Sequence, residues 1–426
     1  MIYSEYFRVY DHSLVLADGQ IVIRRFIVLN RSDGSLQFTD FHKYIKNPRR
    51  RVKKTTSNSN NRAVFVCQFL NYAFFIARIP SLDSVTVEVV KDFLRAYGQC
   101  DLPEDDENTS RNRQTVERCV STIMDFLQLF IDDRKTRCRI RTEDLYREMD
   151  IRDRHGRLKT KKVPVFDIYY NEKPRVLYRD IPNKAFNMLF NHISIHHTDL
   201  LMLVALSAFA GLRPSEACNV RRADSVLGAG LRFKEIEGEL IGVSIDLTRK
   251  LNLRSDLICV GGIKKERIQD VPDIFLSAFR DAYIRYMEHI ESRKYEADYG
   301  ALTNNRTGKA ITYQSYYQKF HDIIRDEMIS IYLESGDPEL VIFGRTLQEH
   351  SISPHIFRHW YTVQLVLSGV TNVGVLKDYR GDKHPESALV YLNNKGELQK
   401  KYRKVNEETI EYMLWASRKQ MQKEQR

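Results

Sequence analysis

The chain has 426 residues, long enough for two or three domains with a core each. Hydrophobic residues make up 42%, which excludes a disordered polypeptide, and the six cysteines form neither a disulfide framework nor the close pairs of a zinc site. Lys and Arg number 67 against 56 Asp and Glu; the formal charge of +11 points to a polyanionic partner, nucleic acid first and an anionic membrane surface second.

Residues 1 to about 45 are β-leaning, with partly alternating text such as GQIVIRRFIVLN. A basic and then polar run, NPRRRVKKTTSNSNNR (residues 47–62), reads as an exposed linker, either a place to meet phosphates or merely solvated. From 63 to 140 the pattern is helical: Ser84 is placed to cap SVTVEVVKDFLRAYG, with Gly98 as its end, and Val116, Val120, Ile123, Leu127 and Phe130 share one helical face. Residues 141–175, charged and irregular, read as a linker before a second body that spans 176–426. There Thr198 is placed to cap a very apolar helix over 199–210, and Gly211 closes it. The run Leu200 to Leu212 is too short to span a bilayer, and MIYSEYFRVYDHS lacks the plan of a signal peptide. With the cysteines read as reduced, a cytoplasmic protein is expected. GELIGVSIDL and DLICVGGIKKERIQDVP read as strands around turns, and helical text then dominates except for the turn-rich residues 304–312.

Two motifs carry chemistry. In GLRPSEACNV, Gly211 ends one helix and Pro214 opens the next, which leaves Arg213 in a tight corner with Glu216 as a local ion-pair partner. In SPHIFRHWYTVQLVLSGV, Ser353-Pro354 reads as a helix start, and Gly369 as its stop. His355 and Arg358, three apart, share the first turn, so imidazole, guanidinium and helix N-terminus converge on an anion-binding spot. Phe357, Val363 and Leu367 are left for the core face. Alone, either motif is equally well a salt bridge or a helix cap.

Arg213 in GLRPSEA, His355 and Arg358 in HIFRH, and Tyr391 in SALVYL stand in an order and spacing that resembles the tyrosine recombinase (phage integrase) family, over about residues 180 to 394. The resemblance implies a mainly α fold with a small β-sheet: a catalytic domain preceded by a helical core-binding domain. It implies site-specific cleavage and rejoining of double-stranded DNA by phosphoryl transfer, without metal, ATP or other cofactor, by a homo-oligomer, a tetramer, on DNA. Neither a membrane nor a small-molecule substrate is expected. Tyr391 would attack a phosphodiester to form a 3′-phosphotyrosyl link, Arg213 and Arg358 would stabilise the charge, and His355 would act as acid/base. The family's hairpin lysine, general acid for the leaving oxygen, falls on Lys264 or Lys265 in VGGIKKERIQDVP; Lys264 is favoured, nearer the glycine turn.

The chain departs from the family in GDKHPESALVY. Nine residues before Tyr391, where a histidine or tryptophan is usual, stands Asp382, with His384 two residues on. Either Asp382, ahead of Pro385 and Glu386, holds a helix N-terminus and organises the site through hydrogen bonds, which is preferred because a carboxylate facing a phosphate is repulsive, or His384 donates to the phosphate. Tyr361, Tyr379 and Tyr402 are rivals of Tyr391 as nucleophile. Beyond Tyr391, a helix with Met413, Leu414 and Trp415 is either an interface to a neighbouring protomer or packs on its own domain. A rival function is a DNA-binding protein on the same fold that does not cleave, a repressor or accessory factor.

Overall fold

The computed structural model describes residues 4–45, 57–107, 109–134, 137–152, 158–171, 181–291, 293 and 299–382. It divides into two compact units, one of residues 1–14 and 23–175, the other of residues 15–22 and 176–426. Among the described residues the fold is mainly α, with three small antiparallel sheets or hairpins. None of its helices is long and apolar enough to cross a membrane.

In the first unit, strands β1 (Tyr6–Val15), β2 (Ile21–Asn30) and β3 (Leu36–Phe38) form a sheet in that order, with Val28 opposite Phe38. Helices α1 (Ser57–Asn71), α2 (Val87–Gln99) and α3 (Arg113–Arg134) close an aromatic core. Phe7 and Ile27 of the sheet, Phe69, Phe93 and Phe126 of the helices are all buried in it. Asn71 fixes β1 to α1 by accepting from the Phe7 N–H at 2.6 Å and donating back to its carbonyl at 3.2 Å. Thr86, rather than Ser84, caps α2, its hydroxyl accepting from the Val89 N–H at 3.4 Å; Ser84 ends a separate short turn, Leu82–Ser84. Gly98 does not stop this helix. It is a contact residue inside it, where a Cβ would run into the Tyr169 carbonyl, and the left-handed cap is Cys100 at φ 64°. Within 141–175, read from sequence as a linker, lies the hairpin β4 (Tyr146–Arg152) and β5 (Leu158–Pro164), Met149 opposite Lys161. The flanking Leu145 and Phe166 belong to the same aromatic core.

The second unit is built around its most apolar helix. After α4 (Asn183–His196), α5 (Thr198–Phe209) has every residue from Leu200 to Phe209 buried. Burial of this kind contributes about 1.5–3 kcal/mol per large aliphatic or aromatic side chain. Thr198 opens α5 without capping it: its hydroxyl donates back to the Ser194 carbonyl at 3.0 Å. The short α6 (Pro214–Ala217) follows, then the sheet of β6 (Leu231–Ile236), β7 (Glu239–Asp246) and β8 (Ile268–Asp270), ordered 6-7-8 and antiparallel. Of the segment DLICVGGIKKERIQDVP only Ile268–Asp270 is strand; the rest is loop, because its polar turn residues leave one short run able to pair with β7. Helices α7 (Asp273–Glu291), α8 (Tyr313–Ile323), α9 (Ile329–Glu334), α10 (Pro338–Glu349), α11 (His355–Leu367) and α12 (Val373–Arg380) complete the bundle. Trp360 of α11 stacks on Phe186 of α4 with ring centroids 3.9 Å apart and donates to Asn183 Oδ1 at 2.8 Å. Pro354, not Ser353, precedes the first turn of α11, and no side chain caps it.

Candidate anion-binding active site

Four segments of the second unit, distant in sequence, meet at one cluster of charge. The first is the corner between α5 and α6. Gly211 adopts φ +64°, open to glycine at little cost, and a Cβ there would run into the Tyr361 ring. The turn so formed sets the Gly211 carbonyl to accept from Nη1 of Arg358. It also places Arg213 as the N-cap residue of α6, where its backbone N–H donates to Glu216 Oε2 at 3.2 Å and its Nη1 to Glu216 Oε1 at 3.1 Å. Glu216 is therefore the local ion-pair partner that the sequence placed there.

The second segment is the loop before β8. The fully buried Glu216 accepts from the Lys264 backbone N–H at 3.2 Å and from Arg267 Nη2 at 3.0 Å. Burial alone would raise the pKa of this carboxyl; Arg267, Arg213 and Arg358 overcome that and hold it below the usual carboxylate range. Lys264 is exposed and Lys265 half-buried, with the Lys265 carbonyl accepting from Arg267 Nη1 at 3.0 Å. The backbone at Lys264 is thus tied to the cluster while its ammonium is left at the surface.

The third segment is the start of α11. Arg358, 3% exposed along its side chain, lies one turn inside, and His355 is at the rim. Desolvation, followed by the charges of Arg213 and Arg380, pushes Arg358 down to about 9, still a cation at neutral pH. His355 is exposed at the rim, and partial desolvation of its ring, then the guanidiniums of Arg358, Arg213 and Arg380, lower the imidazole to about 4, so it is neutral at pH 7.

The fourth segment is the end of α12. Gly381 caps it at φ 58°, and a Cβ there would run into the Arg267 side chain. Asp382, 5% exposed, follows at once. Its Oδ1 accepts from Arg213 Nη2 at 2.5 Å and from Arg358 Nη2 at 2.8 Å; its Oδ2 accepts from Arg380 Nε at 2.7 Å. Burial opposes the charged form, but Arg358 and Arg380 prevail and keep the carboxyl below its ordinary range. Arg380 also donates to the Thr362 hydroxyl, which donates in turn to the Arg358 carbonyl at 2.8 Å.

The structure therefore brings together Arg213, Lys264, His355, Arg358 and Asp382. The hydrogen bonds of Asp382 run to arginines, and it follows a helix C-terminus. His384 and Tyr391 lie outside the described residues, as do Tyr402 and the C-terminal segment with Met413, Leu414 and Trp415. Two rivals of Tyr391 have structural roles. Tyr361 is fully buried, its phenol pushed up by desolvation, and donates to the Tyr379 carbonyl at 3.2 Å; Tyr379 is half-buried and packs on the core. Sequence reasoning missed Arg267 and Arg380. Arg267 lies within VGGIKKERIQDVP, where only the lysines were weighed, and the one signal for Arg380 was its position two residues before an unexpected Asp382.

Among the described residues the cluster holds four guanidiniums, of Arg213, Arg267, Arg358 and Arg380, against two carboxylates, of Glu216 and Asp382. The two net positive charges, with a neutral imidazole and an exposed lysine at the edge, suit a bound oxyanion such as a phosphodiester. No family model matches the chain, and no curated protein does. Three solved structures to which it is similar are of DNA-bound proteins. One is the Tn1549 transposon integrase in complex with transposon right end DNA (16% identity, TM-score 0.48, 83% of this chain and 94% of that one). A second is the XerH site-specific recombinase bound to difH substrate before cleavage (14%, 0.46, 78% and 76%). The third is a lambda integrase dimer bound to a COC' core site (11%, 0.38, 76% and 86%). These three structures are of a transposon integrase, a site-specific recombinase and a further integrase.

Proposed function

We propose that the protein is a site-specific DNA recombinase that breaks and rejoins duplex DNA through a phosphotyrosyl intermediate. One observation carries the reading. Arg213 and Arg358, from separate elements, each direct an Nη2 at the same oxygen of Asp382, beside His355, in a cluster with surplus positive charge. Two rigid forks aimed at one oxygen are what a phosphoryl centre needs when charge builds on its equatorial oxygens.

In this mechanism the scissile phosphate engages Arg213 and Arg358. Its negative charge raises the low pKa of His355, so that the imidazole can take and return a proton near neutral pH. Tyr391 Oη attacks phosphorus, giving up its proton, and the bond to the 5′-oxygen breaks. That oxygen is protonated by Lys264, whose exposed ammonium is free to reach it; Lys265 is the alternative donor. A 5′-hydroxyl from another strand reverses the step, and the bond energy is conserved in the phosphotyrosyl ester. Asp382 acts as an organiser: it neutralises part of the arginine cluster and holds both forks in one orientation. Residues 63–140 serve as the core-binding domain, 141–175 connect it to the catalytic domain of 176–426, and 1–62 add basic charge. Tetramers on duplex DNA would carry out the exchange.

The second reading, a DNA-binding protein that does not cleave, draws on Asp382 itself, because a carboxylate already satisfies the two arginines. Suicide substrates nicked near candidate sites in DNA around the protein's own gene separate the two. A denaturant-resistant protein–DNA adduct, lost in Tyr391→Phe with binding retained, is the expected result. Binding to every cognate substrate without an adduct would overturn the recombinase reading.

A further inference from the structure

Away from the arginine cluster, three side chains from two stretches of the second unit converge. His192 is on the last turns of α4, and His197 sits at the corner where α4 gives way to α5. Glu327 lies in a π-helical turn, Ile324–Met328, between α8 and α9. His192 Nε2 is 2.6 Å from Glu327 Oε2, and His197 Nε2 is 3.0 and 2.9 Å from its two oxygens. One ligand atom from each residue lies within 4.8 Å of the others, and all three side chains are half-buried. We propose that His192, His197 and Glu327 bind one divalent transition-metal ion of the zinc class, as a site separate from the DNA chemistry.

The donor set argues for it first. Two imidazole nitrogens and one carboxylate are ligands that zinc takes at about 2.0–2.2 Å, with water completing a tetrahedron. Tetrahedral donors at that distance lie about 3.4 Å apart, so each imidazole needs to part from the carboxylate by less than about 1 Å to admit the ion. Nitrogen donors set the preference toward zinc, nickel or copper and away from magnesium or calcium, which take oxygen. The backbone argues for it second. A π turn widens the helix by one residue, is rare, and is found frequently at functional sites. Here the Ile329 N–H bonds the Ile324 carbonyl across it, and Glu327 is carried within that turn. The bound ion would pin the α4–α5 corner to the α8–α9 turn and so brace α5, the helix on which the second core is built.

The test uses the full chain, stripped with a chelator and dialysed, then titrated with zinc and with cobalt as a spectroscopic stand-in. We expect one ion per chain, a visible cobalt band and a rise in Tm on zinc addition. Binding should weaken by at least about tenfold in Glu327→Gln, and further in His192→Ala/His197→Ala, since even outer-shell changes cost about 10–100-fold. His196 is an exposed neighbour whose ring is 4.7 Å from that of His192, and His196→Ala should bind as the parent does. Should a substituted chain not fold, the imidazole nitrogen shifts of the unsubstituted protein decide, since His192 and His197 must move on zinc addition. Equal binding by parent and double variant, an absent cobalt band, or nitrogen shifts confined to other histidines would overturn the proposal.

Discussion

Replacing Asp382 with Asn tests how the arginine cluster is held. The carboxylate accepts from three guanidiniums, those of Arg213, Arg358 and Arg380, and is 5% exposed. An asparagine keeps one acceptor oxygen, loses the charge and turns an NH2 toward at least one arginine. Removing one partner of a buried ion pair costs about 3–5 kcal/mol. At about 2–4 °C per kcal/mol for a body of this size, the lower figure lowers Tm by about 6–12 °C. The measurement is thermal unfolding followed by circular dichroism, at low salt with and without sulfate. Sulfate should recover more of the loss in the variant than it adds to the parent, because the freed guanidiniums then bind it. A variant that melts within about 1 °C of the parent, with no larger response to sulfate, would refute the claim that Asp382 neutralises the cluster.

Gly211→Ala puts a methyl group into the Tyr361 ring from a left-handed backbone, which alone costs about 1–2 kcal/mol; calorimetry should show a loss larger than that, with weakened sulfate binding as the Arg358 anchor shifts. Arg213→Lys keeps the charge but loses the planar fork whose two nitrogens reach Glu216 and Asp382 separately; duplex binding should persist while adduct formation falls by about 10²–10³-fold. His355, lowered to about 4, gains a proton when an oxyanion arrives. Sulfate affinity should therefore strengthen as pH falls from about 6.5 toward 4 and be flat over that window in His355→Gln, as read by isothermal titration. Glu216 and Asp382 have folded pKa values below their unfolded ones, so their stabilisation is present above about pH 4 and lost below it; acid unfolding of Glu216→Gln should be shallower than that of the parent.

The parts of the site legible in the sequence were those with local grammar. Glycine after an apolar helix, then Arg-Pro, defines a corner, and His355 with Arg358 defines one face of a first turn. Glu216 followed from the spacing of that corner. Arg267 was not legible, because the carboxylate it serves, Glu216, stands 51 residues earlier; Arg380 has Asp382 two residues on, but that carboxylate's other arginines come from distant segments. Caps were misplaced where a threonine or serine near a helix start found another partner, as Thr198 did with the Ser194 carbonyl. The β4–β5 hairpin was hidden by its composition: YREMDIR and LKTKKVP are exposed over much of their length and lack the apolar face that betrays a strand. The π turn at Glu327 left no trace in the periodicity, and the histidines near it follow none of the cysteine-based spacings by which zinc sites are found from sequence.

The four-way origin of the arginine cluster has a consequence for how the site assembles. Here the corner after α5, the loop before β8, the start of α11 and the end of α12 each contribute a charge that the others need. Loosening any one segment leaves a buried charge of another without its partner. The cluster behaves as an interlock: its full set of ion pairs exists only when all four of these segments are in place.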